Sequence, residues 1–549
     1  AKFFAEMMKG YGVTHLFLVP SMLNESMIDM ENFGIARILT HGEKAAAYMA
    51  DGYARASHRP SVCLAQSVGA VNMATGLQDA YLGLSPVICI TGLRALTQRH
   101  RHAYQEIEHT ALFDAITKFN VNVEIVEQFP MLLRQAFREA TSGAPGPVHL
   151  DLQGTGGQII AAGEANLEVI VEERFSRVPA FRPEPELEVV QEAAKALASS
   201  ERPIIMAGGG VVLSQAEKEV VRLADMLSIP VVTSLSGKGT ILGNHPLAVG
   251  IMGSYSRSCA NKAVAEADLA LIIGSHTGSQ ITNEWRLPRQ STPVIQIDID
   301  PIELGRNFPN KIAVLGDARA TLQKLIGALG GSKQKKAWVS RVQQLVAEWR
   351  SEIAPMYNSD ASPVRPERIC RELSAVLPED ALLVADTSHA GIWTGTMVDF
   401  KFPGQEYIRS AGTLGWAFCA ALGAKCALPK RPVICFTGDG GFWYHIGELE
   451  TARRNGINTV TIVNNNSALN ATRRGVERLY AGKAGDSTKL WQFSDTDFAK
   501  LAEVMGCVGF RVTKPSELRG ALNAALASDR PAVVDVVSDI GGLSTPAWN

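Results

Sequence analysis

The chain reads as an α/β protein built from three doubly wound parallel-sheet domains, and three observations lead there. Its 549 residues exceed what one hydrophobic core holds, at roughly 150 residues per domain. Apolar strand-like runs alternate with helical patterns along the chain, as in βαβ units whose sheets are covered on both faces. Two stretches interrupt that alternation: 179–185, with three prolines, and 330–336, with Gly, Ser and Lys.

The first unit opens on a helical pattern over 3–11 and a strand over 15–19 that Pro20 stops. A strand over 35–39 reaches His41-Gly42-Glu43, and a small-residue helix follows over 45–55. Strands over 61–65, 87–90 and 148–152 complete this unit. The second unit supplies strands over 203–207, running into Gly208-Gly209-Gly210, then 230–233, 269–274 and 294–300. A helix through 350 leads to the third unit, with strands over 382–385, 433–436, 460–463 and 532–536. The expected domains are 1–160, 186–330 and 360–540, the outer two bracketing a shared site beyond the carboxyl ends of their strands.

Composition excludes several classes. The chain is 46% hydrophobic and 20% charged with a net charge of −2, so it has no basic footprint for nucleic acid. No apolar run approaches the roughly 20 residues that cross a bilayer. Eight cysteines are spread singly with no C-x-x-C pair, the pattern of reduced, buried thiols. A cytoplasmic protein without nucleic-acid or membrane partners is expected. Residue 1 is an alanine already inside a helical pattern, so a targeting segment cannot be judged.

The stretch with most chemistry runs from Gly438-Asp439-Gly440 to Asn464-Asn465-Asn466. An apolar run over 432–436 delivers Asp439 to a strand end where glycines admit a phosphate to the backbone, and Asn466 supplies a neutral oxygen. One carboxylate, one amide and phosphate oxygens suit Mg2+. The alternative is an ordinary strand–turn–helix. At this spacing the segment resembles the signature of the thiamine diphosphate (ThDP) enzymes. The resemblance implies a pyrimidine-binding first domain, a central domain and a diphosphate-binding third domain. It places the metal on Asp439, Asn466 and the carbonyl of Ala468, with Gly438, Gly440, Gly441 and Leu469 at the cofactor.

Glu43, read alone, is a carboxylate favoured at a helix start. The run over 40–55, ending Asp51-Gly52-Tyr53-Ala54-Arg55, resembles the cofactor-activating segment of the family. There a Glu favours the imino tautomer of the pyrimidine, whose nitrogen takes the C2 proton. Residues 66–72 resemble the family's Thr-Ser-Gly-Pro-Gly-Ala-x-Asn, with Gln66 and Val68 as departures. Tyr104-Gln105-Glu106 resembles Phe-Gln-Glu and makes Gln105 the oxyanion candidate; its other reading is a solvated helix polar residue. Asp386-Thr387-Ser388-His389 resembles a diphosphate loop, giving roles to Ser388 and His389. Gly412-Thr413-Leu414-Gly415 resembles the loop whose apolar wedge, here Leu414, bends the cofactor.

Within the family the pattern is most similar to acetohydroxyacid (acetolactate) synthase, implying carboligation of 2-keto acids. The departures fall at 467–478, where no Trp follows the metal Asn. His41, His100, His102 and His109 lie close to these elements and can exchange hydrogen bonds with a substrate. The runner-up is a 2-hydroxyacyl-CoA lyase holding CoA phosphates with Arg257, Lys262, Arg286 and Arg289. A catalytically inactive regulatory paralogue is the reading from another class, opposed by the joint presence of Glu43, Asp439 and Asn466. No G-x-G-x-x-G follows a first-domain strand, against a simple NAD protein. The central domain has room for FAD or ADP, with Gly208-Gly209-Gly210 near a pyrophosphate and Asp298 and Asp300 near ribose or adenine. The same two carboxylates can equally cap the next helix. In the family, Glu43 and Asp439 of one site come from different subunits, implying a homodimer and a homotetramer of two such dimers.

Overall fold

The computed structural model describes residues 1–20, 22–154, 166–331 and 334–542. The expected first-domain end at 160, and residues 332–333 of the second connector, lie outside the described residues.

Three six-stranded, all-parallel sheets form. The first has β1 (His15–Leu18), β2 (Ala36–Leu39), β3 (Ser61–Gln66), β4 (Val87–Leu93), β5 (Phe119–Val123) and β6 (Val148–Gln153) in the order β2-β1-β3-β4-β6-β5. The central sheet has β7 (Pro203–Ala207), β8 (Val231–Thr233), β9 (Ala248–Ile251), β10 (Leu269–Ile273), β11 (Val294–Asp298) and β12 (Asn310–Leu315), ordered β12-β11-β10-β7-β8-β9. The third has β13 (Leu382–Ala385), β14 (Glu406–Arg409), β15 (Val433–Gly438), β16 (Val460–Asn465), β17 (Val508–Val512) and β18 (Ala532–Val537), ordered β14-β13-β15-β16-β18-β17. The outer sheets share one topology. The central one, read from β9, has the dinucleotide-fold order, with its switch point between β7 and β10.

All the strands expected from sequence form. The five that sequence reading omitted, β5, β9, β12, β14 and β17, are all sheet edges. An edge strand packs on fewer neighbours and tolerates polar residues, so Asn120 and Asn122 in β5 or Glu406 and Arg409 in β14 hide the apolar signature.

Two cores cross domain boundaries. One joins the helices Glu43–Ser57 and Trp416–Ala427, so the first and third sheets share an interior. The other joins central and third sheets through the helix Lys336–Tyr357, whose Trp338 and Trp349 are buried. All eight cysteines are buried and free. No helix among the described residues is long and apolar enough to cross a membrane.

Glycines set the first contact. A Cβ on Gly52 would lie 2.0 Å from the Ala420 carbonyl oxygen, and one on Gly423 would lie 1.8 Å from that of Met49. Gly423→Val is therefore expected to cost at least about 1–3 kcal/mol, lowering the first calorimetric unfolding transition by several degrees. Gly327→Val, on an exposed helix face with no atom within 4 Å of the added Cβ, is the control and should not lower it.

Candidate active site

In the third domain the loops after β13 and β15 flank the switch point of the sheet, and Asp386 ties them together. Its carboxylate is 1% exposed and accepts from the Thr387 N–H at 2.9 Å, the Thr437 hydroxyl at 2.9 Å and the Gly415 N–H at 3.1 Å. Burial pushes its pKa up to about 7 against those hydrogen bonds. Gly441 is glycine because a Cβ there would sit 2.4 Å from Asp386 Oδ2. Gly440 likewise makes room for Leu469, whose Cδ2 would be 2.6 Å from its Cβ, whereas Gly438 faces open space. Ser388 follows at φ 60°, opening the helix His389–Met397, and burial holds His389 below its ordinary pKa with Arg474 adding to the effect.

Asp439 begins a short helix, Asp439–Trp443, and is 2% exposed. Ser467 at φ 53° turns the chain so that the Ala468 N–H donates to Asp439 Oδ2 at 2.8 Å. Burial raises the Asp439 pKa to about 6, opposed by backbone N–H groups including those of Ala468, Gly440 and Asn466. The adjacent asparagines divide their work. Asn465 Nδ2 donates to Asp535 and to the Thr496 carbonyl, both at 2.9 Å, pinning β16 to β18. Asn466 Oδ1 is buried without a partner among the described residues. A buried carboxylate that accepts from the turn carrying an orphaned amide oxygen suits a hard divalent cation, and no cluster of three His, Cys, Asp or Glu occurs among the described residues.

The Leu414 loop is held by the first domain. Asp79, fully buried, accepts from the Ser410 hydroxyl at 2.9 Å and from the N–H groups of Ala411, Gly412 and Thr413 at 2.9, 3.2 and 3.0 Å. Arg55 joins Asp79 to Asp51, and the Trp416 indole N–H donates to Asp51 at 2.8 Å. Burial would raise the Asp79 pKa, yet Arg55 and the loop N–H groups bring it below the ordinary value. Leu414 itself is half-buried.

On the first domain, Glu43 begins its helix directly after β2 and is half-buried. Asn72 Nδ2 donates to its Oε2 at 3.1 Å, and a Cβ on Gly69 would be 2.6 Å from its Oε1. Gln105 lies in a turn at φ 60° rather than on a helix, its carbonyl accepting from the Ser67 hydroxyl. Glu43 and Gln105 thus both abut the helix Val68–Leu82. No hydrogen bond or ion pair among the described residues joins Glu43 to Asp439 or Asn466, although Lys44 lies 5.1 Å from the Tyr444 ring centre and the His41 N–H donates to Glu448 at 2.9 Å.

The expectation for Arg257 is corrected. Arg257 is 5% exposed, bonded to Asp399 at 2.6 Å and to the Thr396 carbonyl at 2.8 Å, so it cannot hold a CoA phosphate; Arg286 and Arg289 are exposed and Lys262 is half-buried. Gly208 and Gly210 are filled by protein: their Cβ atoms would meet Gly274 at 2.1 and 2.7 Å. Asp298 and Asp300 accept from nearby backbone N–H groups, at Asp300 and Ile302. His41 pairs with Glu450 and the buried His109 with Asp151, while His100 and His102 are exposed. Sequence reading missed Asp79 entirely; a charged residue inside the apolar pattern of 73–80 is its only signal.

A cavity of about 490 Å³ opens at the central switch point. It is lined by Gly209 and Gly274 of the central domain, His58 and Leu82 of the first, and Tyr407 and Arg409 of the third.

Two outer domains of one topology, with a helix-start glutamate on the first and an acid–amide turn on the third, define a ThDP-type enzyme. The chain is a member of the thiamine pyrophosphate (ThDP) enzyme family. Residues 1–112 match "Thiamine pyrophosphate enzyme, N-terminal TPP binding domain", 190–325 the central domain and 386–536 the C-terminal TPP binding domain. Among its relatives, the probable acetolactate synthase large subunit of Methanocaldococcus jannaschii is 36% identical over 518 residues, covering 92% of this chain and 86% of the relative. The acetolactate synthase large subunit of Buchnera aphidicola subsp. Acyrthosiphon pisum is 30% identical, with 94% and 90% covered. Acetolactate synthase isozyme 3 large subunit of Escherichia coli is 29% identical, with 92% and 88% covered. The protein is a ThDP-dependent enzyme of carbon–carbon bond chemistry resembling acetolactate synthase.

The Asp386 carboxyl makes a pH test. Its folded pKa of about 7 lies above the ordinary 3.8, so its contribution to stability is full below about pH 4 and lost as pH rises through 7. Asp386→Asn should flatten that part of the plot of unfolding midpoint against pH. An unchanged slope refutes the assignment.

Proposed function

We propose that the protein is a ThDP- and Mg2+-dependent carboligase or lyase acting on 2-keto acids, in the manner its acetolactate synthase relatives suggest. The observation that carries it is the partnerless Asn466 oxygen beside the buried Asp439. Asp439, Asn466 and the Ala468 carbonyl are the residues to hold the metal, and Ser388 and His389 those to donate to the diphosphate. Bound ThDP supplies a carbon nucleophile and an acceptor for the electron pair of the cleaved bond.

The chain's residues do the rest. Glu43 holds a proton at Oε1 for exchange with the pyrimidine, since Asn72 already donates to Oε2 and Gly69 leaves Oε1 uncovered. Leu414, fixed by the Asp79 clasp on its loop, is the wedge beneath the cofactor. Gln105 donates to the oxygen that gains charge. The central cavity, at the switch point of a dinucleotide-type sheet, is proposed to hold FAD or ADP. An absorption spectrum of the purified protein with mass spectrometry of released small molecules identifies which, and a nucleotide-free protein refutes the proposal.

We infer further that the site is completed across a two-fold dimer, and that two such dimers form a tetramer. Val68 and Tyr104 are exposed apolar residues near Glu43 and Gln105, as are Trp443 and Tyr444 near Asp439, the composition of a surface that a partner covers. Glu43→Gln should bind ThDP yet exchange its C2 proton at least a hundredfold more slowly, since an amide holds no transferable proton. Asp439→Ala should lose ThDP affinity in calorimetric titration. After subunit exchange, equal mixing should restore about a quarter of wild-type activity, because half the dimers are mixed and each has one intact site. No recovery, once exchange is confirmed by mass spectrometry, means that each chain builds its own site.

A further inference from the structure

Residues 94–108 carry three guanidiniums, Arg94, Arg99 and Arg101, and two carboxylates, Glu106 and Glu108. Both carboxylates have internal partners. Glu108 pairs with Arg99, and Glu106 accepts from the N–H groups of His100 and Ala103. Arg101 extends into solvent. Arg94 differs from both other arginines: it is half-buried, yet no carboxylate among the described residues forms an ion pair with it.

Its direction is nevertheless fixed. The Arg94 Nε–H donates to the Tyr104 carbonyl at 2.6 Å, and its guanidinium carbon lies 5.9 Å from the Tyr104 ring centre. The terminal N–H groups have no acceptor among the described residues. Arg94 directly follows β4 and lines a small cavity with Gln66, Ser67 and Gly92. That wall belongs to the candidate site. Ser67 bonds to the Gln105 carbonyl, and the helix after Ser67 carries Gly69 against Glu43. The Arg94 acceptor, Tyr104, is the residue before Gln105. Around this wall the backbone holds Ser67, His100, His102 and Gln105 at φ 43°, 61°, 55° and 60°, a concentration of left-handed non-glycine residues of the kind found where function fixes the chain.

A half-buried cation with no counter-ion among the described residues is unfavourable until an anion meets it, and a guanidinium fork fits carboxylate or sulfonate oxygens in pairs. We propose that Arg94 is a specificity residue that binds a second anionic group on the substrate. The 2-keto acid would bear, beyond the carboxylate next to its carbonyl, a further carboxylate or sulfonate. This rests on the keto-acid reading above and extends it from substrate class to substrate charge. A keto acid with an apolar tail leaves the guanidinium unpaired.

The test uses the enzyme loaded with ThDP and Mg2+, with pyruvate as the singly charged acid, 2-oxoglutarate as the dicarboxylate and 3-sulfopyruvate as the sulfonate. Wild type should prefer at least one doubly anionic acid over pyruvate by tenfold or more in kcat/KM, and the two arms identify the group. Arg94→Met should reduce that preference at least tenfold, through KM rather than kcat, with Arg94→Lys restoring part of it. Raised salt should weaken the preference in wild type and leave Arg94→Met little changed. A preference for pyruvate, no turnover of either doubly anionic acid, or equal losses for all acids in Arg94→Met overturns the proposal. C2 proton exchange, read on the same samples, separates the two readings. Its absence defeats the proposed function itself, whereas its presence without the charge preference defeats only the role given to Arg94.

Discussion

The arrangement of the site depends on one buried interaction between domains, the grip of Asp79 on residues 410–413. A fully buried carboxylate would favour its neutral form, yet Asp79 stays anionic because Arg55, a hydroxyl and three backbone N–H groups converge on it. Removing one partner of such a pair leaves a buried charge uncompensated, at about 3–5 kcal/mol. The grip therefore fixes where the Leu414 loop lies relative to the first domain. Close crossing of the helices Glu43–Ser57 and Trp416–Ala427 reinforces it, and two glycines permit that approach. The Asp51-to-Arg55 run thus acts as a dock as well as a family signature: Asp51 and Arg55 form the ion pair, Gly52 admits Ala420, and Tyr53 bonds Thr14 at 2.6 Å.

Within the third domain, two carboxylates reached by burial play different parts. Asp386 is surrounded by donors and holds the loops at 387, 415 and 437 in mutual register. Asp439 also accepts backbone N–H groups, but the turn that supplies them leaves an amide oxygen unpaired nearby. A donor-rich surrounding makes a structural anchor. A carboxylate whose neighbouring turn leaves an amide oxygen unpaired suits a cation. Electrostatics alone would not separate the two residues, since burial raises the pKa of both.

Much of the fold was legible in the sequence because central parallel strands, buried on both faces, must be continuously apolar. The five omitted strands are edges, where that requirement lapses. Among candidate site residues, Asp439 and Asn466 stood out because a carboxylate and an amide at strand ends beside glycines form a recognisable pattern, whereas Glu43, alone an ordinary helix-start carboxylate, stood out only through the family resemblance of 40–55. Asp79 was not legible, since the loop it grips lies more than 300 positions away and no local pattern announces a contact at that range. Arg257 misled for the complementary reason: an arginine between polar residues reads as solvated, while here it neutralises Asp399 and packs 4.4 Å from the Trp349 ring centre. The central glycines carry two signals at once: at 208 and 210 the close backbone is the protein's own Gly274, while Gly209 and Gly210 also line the central cavity.

The clasp also reaches the central cleft. Arg55 Nη1 donates to the Arg409 carbonyl at 2.8 Å, and the Arg409 side chain, bonded to Gln280, lines the cavity of about 490 Å³. Burial holds the Arg409 pKa below its ordinary value, and its Nε has no partner among the described residues. The guanidinium that anchors the Leu414 loop through Asp79 therefore also holds the backbone of a residue facing the central cleft. Any shift of β14 that follows filling of that cleft must move the Arg409 carbonyl, and with it Arg55, or break a buried hydrogen bond. Shared residues of this kind make the two regions one mechanical unit even though they lie on different sheets. The geometry asks that the three domains be understood as a single scaffold, in which Arg55 is the common fixed point.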